Sequence, residues 1–568
     1  MKKIIFIFCI LNYLNGYGQR YDHLNIFDGR SDSYQNQFIR DEKNLYSLLN
    51  VYRDSAYLNN TFIANVEKTN YNNMVLTKFE NNKAVKHIHF GSYETFGRIH
   101  LVNDKIWVTG SRQGDFWIDG ELKYPSAPIP DGSVRDYFRG FILIYDKDLN
   151  LERDIMLGAE EYVKVVDHHD GKYYIAGNYG LRSDTMTLNN VTIRDEYNSG
   201  KEMFLFTLND ATFDAESGIS FGGPGREGLD RMHIDKEGNI ILMGSTRSGG
   251  FHYENSVFPT QGNFALSSFF LIKIDRRGEP VYFHSFDTGE GPDNPNNRAP
   301  DLTVDEDGNL YIGTFGRVDK FKFDGQILHQ STNNKVLLVF MCLSKNGNLR
   351  WTKFFESSGP AGSIFNKSNI LYDEIVFWGY SNQTKLIYEG DIFQPNDTIQ
   401  VAGMIKLDKN TGAFRSYQDI VAGFGSRLSD MEPLPNGNYM TWLTWYGHSG
   451  DAKGEPFFEN KKKPNSSFIF EFNPEIPQLV STLDEVAIDS FTEINIIPNP
   501  IQKESKLSIQ TNEPIKTIEI YDINGRLIER ISAVDETTTI DINHSPGTYI
   551  LKFQMESQGS VYKKLIIQ

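Results

Sequence analysis

A short phrase returns along the chain at a nearly constant step, and no other feature constrains the fold as tightly. DEKNLYSLLN at Asp41, NDKIWVTGSRQG at Asn103, DGKYYIAGNYG at Asp170, DKEGNIILMGS at Asp235, DEDGNLYIGTFG at Asp305, YDEIVFWGYS at Tyr372 and NGNYMTWLTWYG at Asn436 are seven copies of one pattern. Centred on Leu45, Ile106, Tyr173, Ile240, Leu310, Ile375 and Tyr439, they step by 61 to 70 residues.

A second phrase keeps the same step: VLTKFENN at Val75, FILIYDKD at Phe141, FLFTLNDA at Phe204, FLIKIDRRG at Phe270, VFMCLSKNG at Val339, GMIKLDKNTG at Gly403 and FIFEFNPE at Phe468. Each alternates apolar residues and ends in turn formers, as a strand does. Returning runs such as PVYFHSF at Pro280 and LRWTKFF at Leu349 follow, and DLTVD at Asp301 or RMHID at Arg231 precede the turn. Each unit therefore holds four short antiparallel strands. The 48 Gly, 40 Phe and 29 Tyr suit pleated sheets joined by tight turns.

Between the second and third strands lies another element, seen in FWIDGELKYP, MTLNNVTIR, FHYENSVFP, FKFDGQILH and LIYEGDIFQ. Its turn pairs are Asp119-Gly120, Asn189-Asn190, Glu254-Asn255, Asp324-Gly325 and Glu389-Gly390. Such pairs tolerate positive φ, which two-residue hairpins require, so every unit is expected to carry a β-turn excursion. The excursions are expected to gather on one face with the loops from fourth to first strands.

Seven four-stranded units predict an all-β fold, a seven-bladed β-propeller followed by a small antiparallel β-sandwich. HLNIFDGRSD at His23 resembles HIHFGSYETFG at His87, a fourth strand, while the last unit trails off after FIFEFNPE. The amino-terminal strand is expected to complete the seventh blade.

DEDGNLYIGTFG also resembles the start of a calcium loop. The helix-loop-helix calcium site wants Gly at position six and Glu at position twelve. Here Gly308 is fourth and Gly316 twelfth, and the copies exchange their acids freely, so the phrase is read as a turn. With the repeat established, FLIKIDRRGEPVYF and LTVDEDGNLYIGTFG resemble the SBBP-like bacterial β-propeller repeats, over about Gln19 to Thr482. That resemblance implies fold and little else, since propellers host enzymes, binders and scaffolds.

MKKIIFIFCILNYLNGYG has the basic start, apolar run and small residues of a secretory signal peptide, with cleavage expected between Gly18 and Gln19. No later run is long and apolar enough to predict a transmembrane helix. Cys9 leaves with the leader, so Cys342 has no disulfide partner and reads as a buried strand residue. The formal charge of −17 opposes phosphate backbones and argues against a nucleic-acid partner.

After Glu475 the strand alternation ends, and PQLVSTLDEVAIDSFTE reads as a linker. Pro498 and Pro500 hold the chain extended around Asn499, and Asn524-Gly525 is a hairpin signal. GTYILKFQM places Tyr549, Leu551, Phe553 and Met555 on one face. The order PNP, IYDINGRLI, IDINHSPGTYILKF and KKLIIQ resembles the type A carboxyl-terminal sorting domain of type IX secretion in Bacteroidetes. Ile497 stands where many members carry Tyr. The resemblance implies export to the periplasm by the signal peptide, translocation across the outer membrane by this domain through the secretion machinery, and then its usual removal with surface attachment or release. Pro498, Asn499, Pro500, Gly525, Gly547, Tyr549 and Lys552 are then recognition or folding residues. The expected domains are a signal peptide (1–18), propeller (19–482), linker (483–495) and sorting domain (496–568).

No catalytic, cofactor or metal motif is predicted. SKNGNLRW at Ser344 departs from a sialidase Asp-box, and HExxH, GxSxG and phosphate-cradling loops are absent from the sequence. His87 with His89, and His168 with His169, lack a third convergent ligand. Trp442 and Trp445 are read as filling space between blades, with sugar stacking as the alternative. Asp54, Asp184 and Asp397 open DSA, DTM and DTI triplets that resemble O-glycosylation sites. The leading expectation is a non-enzymatic module binding glycan or protein on its loop face. A multi-blade carbohydrate-active or peptide-cleaving enzyme and a structural surface component are the alternatives.

Overall fold

A computed structural model describes residues 21–28, 37–52, 56–58, 61–64, 72–81, 83–125, 138–159, 161–180, 185–195, 202–260, 268–287, 300–317, 320–330, 336–357, 363–382, 386–388, 391–393, 400–422, 426–434, 437–445, 466–472, 494–497, 501, 503, 505–511, 515–522, 527–534, 537–555 and 560–567. Gly18, Gln19, Pro498, Asn499, Pro500, Gly525, the Glu389-Gly390 turn, the three glycosylation-like Asp residues and most of the expected linker lie outside them.

The chain is all-β and divides into two compact units, His23–Phe470 and one containing Glu471–Gln568. In the first, the described residues form seven sheets of four or six strands and two isolated hairpins. Each larger sheet opens with its own first strand: Gln37–Arg40, Glu94–Val102, Tyr162–His169, Gly228–Ile234, Asp301–Val304, Ser363–Leu371 or Ser426–Pro433. The next three strands follow antiparallel in chain order, except in the sheet opened by Ser426–Pro433. There the fourth position is taken by Tyr21–Asp28, beside Ser466–Phe472.

No single sheet buries both its faces alone. Val102, Trp107 and Ile144 of one sheet share a core with Tyr173, Phe204 and Phe206 of the next, and five further clusters in this unit follow the same rule. One joins Phe38, Leu45 and Phe79 to Met440, Trp442 and Ile469, so the last sheet packs on the first. The first strands contact one another in succession, and Ser426–Pro433 contacts Gln37–Arg40. Trp442 is fully buried there, which gives it a packing role.

The excursions form hairpins, and four of them are docked at the end of a fourth strand, where the connection to the next first strand begins. Phe116–Ile118 pairs with the last strand of the preceding sheet, Trp117 opposite Gly91, and Lys320–Phe323 does the same, Phe323 opposite Phe286. Leu386–Tyr388 and Ala56–Leu58 repeat the arrangement. The cause lies in the turn residue. Asp119 is left-handed at φ 48°, and its carboxylate accepts the His89 N–H at 2.9 Å while its own N–H donates to the His89 carbonyl at 2.7 Å. Asp324 clasps Ser285 in the same way at 2.9 and 2.8 Å.

The DxxGN phrase is a self-capped turn. Asp305 Oδ1 accepts the N–H groups of Asp307 and Asn309 at 3.0 and 2.8 Å, and Oδ2 accepts from Asn309 Nδ2 and the Tyr311 hydroxyl at 2.8 and 3.0 Å. Asp146 and Asp235 repeat the bonds to residues two and four positions on. Such side-chain-to-backbone bonding is why Asp opens the phrase.

The second unit contains a three-stranded and a four-stranded antiparallel sheet. Leu507, Ile509 and Ile542 of one share a core with Ile518, Leu551, Phe553 and Leu565 of the other, as expected of a small sandwich.

Candidate functional site: the charged ring of first strands

The first strand of each sheet alternates apolar residues facing the cores with polar ones, and the alternation is shifted by bulges. Lys164, Asp230, Asn366 and Ser429 are each an extra residue in the ladder between first and second strands. A bulge redirects the side chains that follow it. The residues next in line are Val165, Arg231, Lys367 and Asp430.

Opposite, the second strands carry the glycines of the repeated phrase. A Cβ on Gly177 would collide with the Tyr162 carbonyl oxygen, and one on Gly244 with that of Gly228. Close backbone approach therefore demands glycine in IAGN and LMGS.

Side chains of the first strands tie neighbouring sheets together. Asp430 Oδ2 accepts the Phe38 N–H at 3.0 Å, and Gln37 Oε1 that of Ile99 at 3.2 Å. Arg98 donates to the Lys164 carbonyl at 3.5 Å, and Asp167 accepts the Ile234 N–H at 2.9 Å. Arg231 Nε donates to Asp301 Oδ1 at 2.6 Å, and Asp301 Oδ2 accepts the Ser368 N–H at 2.8 Å. Opposite charges on Lys367 and Asp430 bring the series back to its start.

Protein encloses Arg98, His100, Arg231, Lys367 and Asp430, yet each keeps some solvent-accessible surface. These side chains are enclosed by protein without being shut off from water. Enclosure governs their acidity. Burial, then the Arg231 charge, pulls Lys367 down to about 8, and burial with Arg231 brings Arg98 down to about 10. His100 falls to about 3 through burial and the Arg98 and Arg231 charges, so it is neutral. Burial raises Asp430 to about 6 against the pull of Lys367. For Asp301 burial also acts upward, but Arg231 and Lys367 outweigh it and hold the carboxylate below its ordinary range. Glu432 rises to about 7 through burial and the neighbouring Asp430.

None of these groups was singled out in the sequence. The available signal was a charged residue inside the short strand preceding each turn, as in GRIHL, DRMHID, DLTVD, NKSNIL and SDMEP.

The residues that were singled out are dispersed. His168 Nε2 lies 3.1 Å from Asp210, and His89 is held through its backbone by Asp119. Cys342 is buried in Val336–Leu343, and burial pushes its thiol up to about 11. Among the described residues no three His, Cys, Asp or Glu are placed to hold a metal ion. In the second unit Gly547 opens the strand Gly547–Met555, and the Tyr549 hydroxyl donates to the Ser545 carbonyl at 2.8 Å. Lys552 pairs with the buried Glu519 at 3.2 Å.

These features define an all-β protein with a repetitive sheet assembly and a separate carboxyl-terminal domain. Residues 495–568 match the family model of the secretion system C-terminal sorting domain. The protein carries a type IX sorting domain and is exported across the outer membrane to the cell surface or the medium. No curated protein matches the chain. Similar solved structures include a europium-containing methanol dehydrogenase, at 10% identity and TM-score 0.35, covering 81% of this chain and 92% of that one. PorZ, an essential surface component of the type IX secretion system of Porphyromonas gingivalis, matches at 11% identity and TM-score 0.21, covering 94% and 86%. The quinohemoprotein alcohol dehydrogenase of Comamonas testosteroni matches at 9% and 0.33, covering 79% and 76%. At these scores the likenesses assign no residue a role. No helix among the described residues is long and apolar enough to cross a membrane.

Proposed function

We propose that the chain is a seven-bladed propeller (19–482) that acts as a non-enzymatic binding module, preceded by a cleaved leader (1–18) and followed by a linker (483–495) and the sorting domain (496–568). The cyclic succession of first-strand contacts supports the propeller, and the strand Tyr21–Asp28 in the last sheet supports closure by the amino terminus.

One observation carries the binding role. Three of the hairpins place an aliphatic side chain in water at the same position, two residues past the turn pair: Leu122 is 44% exposed, Val257 61% and Ile327 52%, while the hairpin at Asn189-Asn190 carries Thr192 there. The recurrence of an apolar residue at one exposed position of a surface-delivered protein is what favours a contact role for this position. Aliphatic chains suit a protein partner better than a sugar ring, which stacks on aromatics.

The test compares wild type with the triple variant Leu122→Ser, Val257→Ser, Ile327→Ser as bait against the surface proteins of the producing cell. A partner retained by wild type and lost by the folded variant supports the reading. Equal capture by both, or polysaccharide hydrolysis abolished by Asp430→Asn or Glu432→Gln, overturns it.

A further inference from the structure

The enclosed first-strand ring holds three cations whose surroundings differ. Arg231 is fully committed: its guanidinium meets Asp301 at 2.6 Å through two nitrogens and donates to the Asp230 carbonyl at 2.9 Å. Arg98 makes one long bond, at 3.5 Å, to the Lys164 carbonyl. Among the described residues no carboxylate stands within ion-pair distance of Arg98 or of Lys367. The carboxylates facing them are engaged elsewhere. Asp301 holds Arg231 and Ser368, Asp430 accepts the N–H groups of Phe38 and Met431 at 3.0 Å each, and Asp230 faces Lys164 at 4.0 Å.

Arg98 and Lys367 therefore feel Asp230, Asp301 and Asp430 without pairing with them, and their enclosed donors are only partly answered. The bulge at Asn366 shifts the alternation at Lys367, which lies close enough to Arg98, Arg231, Asp301 and Asp430 to feel their charges, and Arg98 retains most of its planar fork of donors for a guest. We propose that the first-strand ring encloses a binding site for a small oxyanion, a carboxylate or phosphate group, held by the Arg98 guanidinium and the Lys367 ammonium. Arg231 and Asp301 form its fixed wall, and neutral His100 adds no competing charge. The site is distinct from the hairpin surface and does not depend on a protein partner.

A bound anion restores the charge of Lys367, so binding near pH 8 takes up a proton. The experiment is calorimetric titration of the purified protein, lacking only its leader, with acetate and, separately, inorganic phosphate. Acetate is titrated near pH 8 in two buffers of different ionisation enthalpy. Saturable binding of acetate points to a carboxylate ligand, of phosphate to a phosphate ester. Either supports the site provided that Arg98→Gln and Lys367→Met each weaken affinity by about tenfold or more. Lys367→Arg keeps the charge but does not titrate, so it is expected to bind acetate without proton uptake. It carries the test if Lys367→Met fails to fold. Absence of millimolar binding by both anions overturns the proposal, as does binding of unchanged affinity in Arg98→Gln and in whichever Lys367 variant folds, with proton uptake unaltered.

Discussion

Phe38 and Asp430 stand 392 residues apart in the chain and are joined by one hydrogen bond, the Phe38 N–H donating to Asp430 Oδ2 at 3.0 Å. The bond links the first strand of the first sheet to that of the last, over a core in which Phe38 packs with Met440 and Trp442. Asp430→Ala leaves a buried N–H without its acceptor and is expected to cost about 1–3 kcal/mol in denaturant unfolding. Asp430→Asn retains an acceptor and is expected to cost less. Equal losses in the two variants would remove this bond from any account of closure.

Glycine in the second strands has a steric cause that a pair of substitutions separates. Gly177→Ala drives a methyl group into the Tyr162 carbonyl and is expected to destabilise by about 3 kcal/mol or more, since neither backbone can yield without breaking its ladder. At Gly325 nothing lies within 4 Å of a built Cβ, and only the left-handed φ of 79° opposes a side chain. Gly325→Ala is expected to cost about 1 kcal/mol. Thermal unfolding of both variants measures the contrast.

The repeat was legible because its signals are local. Turn formers such as Asp305 and Asn309 bond within one phrase, and the alternation in FLIKID reports a strand without knowledge of its neighbour. Turn chemistry also gave the hairpins at Asp119 and Asp324, but not their docking, because His89 and Ser285 belong to the preceding sheet. The charged ring was illegible for the same reason. Arg231 and Asp301 are 70 positions apart, and the bulge at Asp230 breaks the two-residue period that would have assigned Arg231 a face.

Buried carboxylates in the two units give opposite pH responses. The Glu432 carboxyl is held up at about 7 by burial and Asp430, above its unfolded value near about 4.3, so the folded state binds the extra proton between those values. Stability from this group is therefore present at low pH and falls as pH rises from about 4.3 to about 7. Glu432→Gln is expected to be more stable than wild type near pH 8, on the order of 2 kcal/mol, with the difference vanishing below about pH 4. Glu519 is held at about 2 by the Tyr521 hydroxyl, Lys552 and Arg530, against burial. Its contribution is present above about pH 4.3 and is lost as pH falls toward 2. Unfolding midpoints from pH 3 to 8, read separately for the two units, check both signs.

Asp305 caps its own turn with both carboxylate oxygens, so calcium competes with four intramolecular donors. Millimolar calcium or a chelator is expected to leave the melting midpoint unchanged. Asp305→Ala frees the Asp307 and Asn309 N–H groups and is expected to cost about 1 kcal/mol, as loss of a side-chain cap does elsewhere. A calcium-dependent rise in the midpoint, lost in Asp305→Ala, would return the phrase to the metal sites.

Export depends on the carboxyl-terminal domain as a folded object as well as on its presence. Deleting 495–568 removes the matched region and is expected to leave the protein in the periplasm, inaccessible to protease added to intact cells. Leu551 is fully buried between the sheets with Phe553 and Leu565. Leu551→Asp puts an unpaired charge in that core, costs about 3 kcal/mol or more, and is expected to reproduce the deletion without shortening the chain. Lys552→Ala strips one partner from Glu519 while Arg530 remains at 2.5 Å, so the domain is expected to fold and delivery to fall only in part. Full surface delivery of the Leu551→Asp protein would mean that the machinery reads a linear segment, and the requirement for a packed domain would fail.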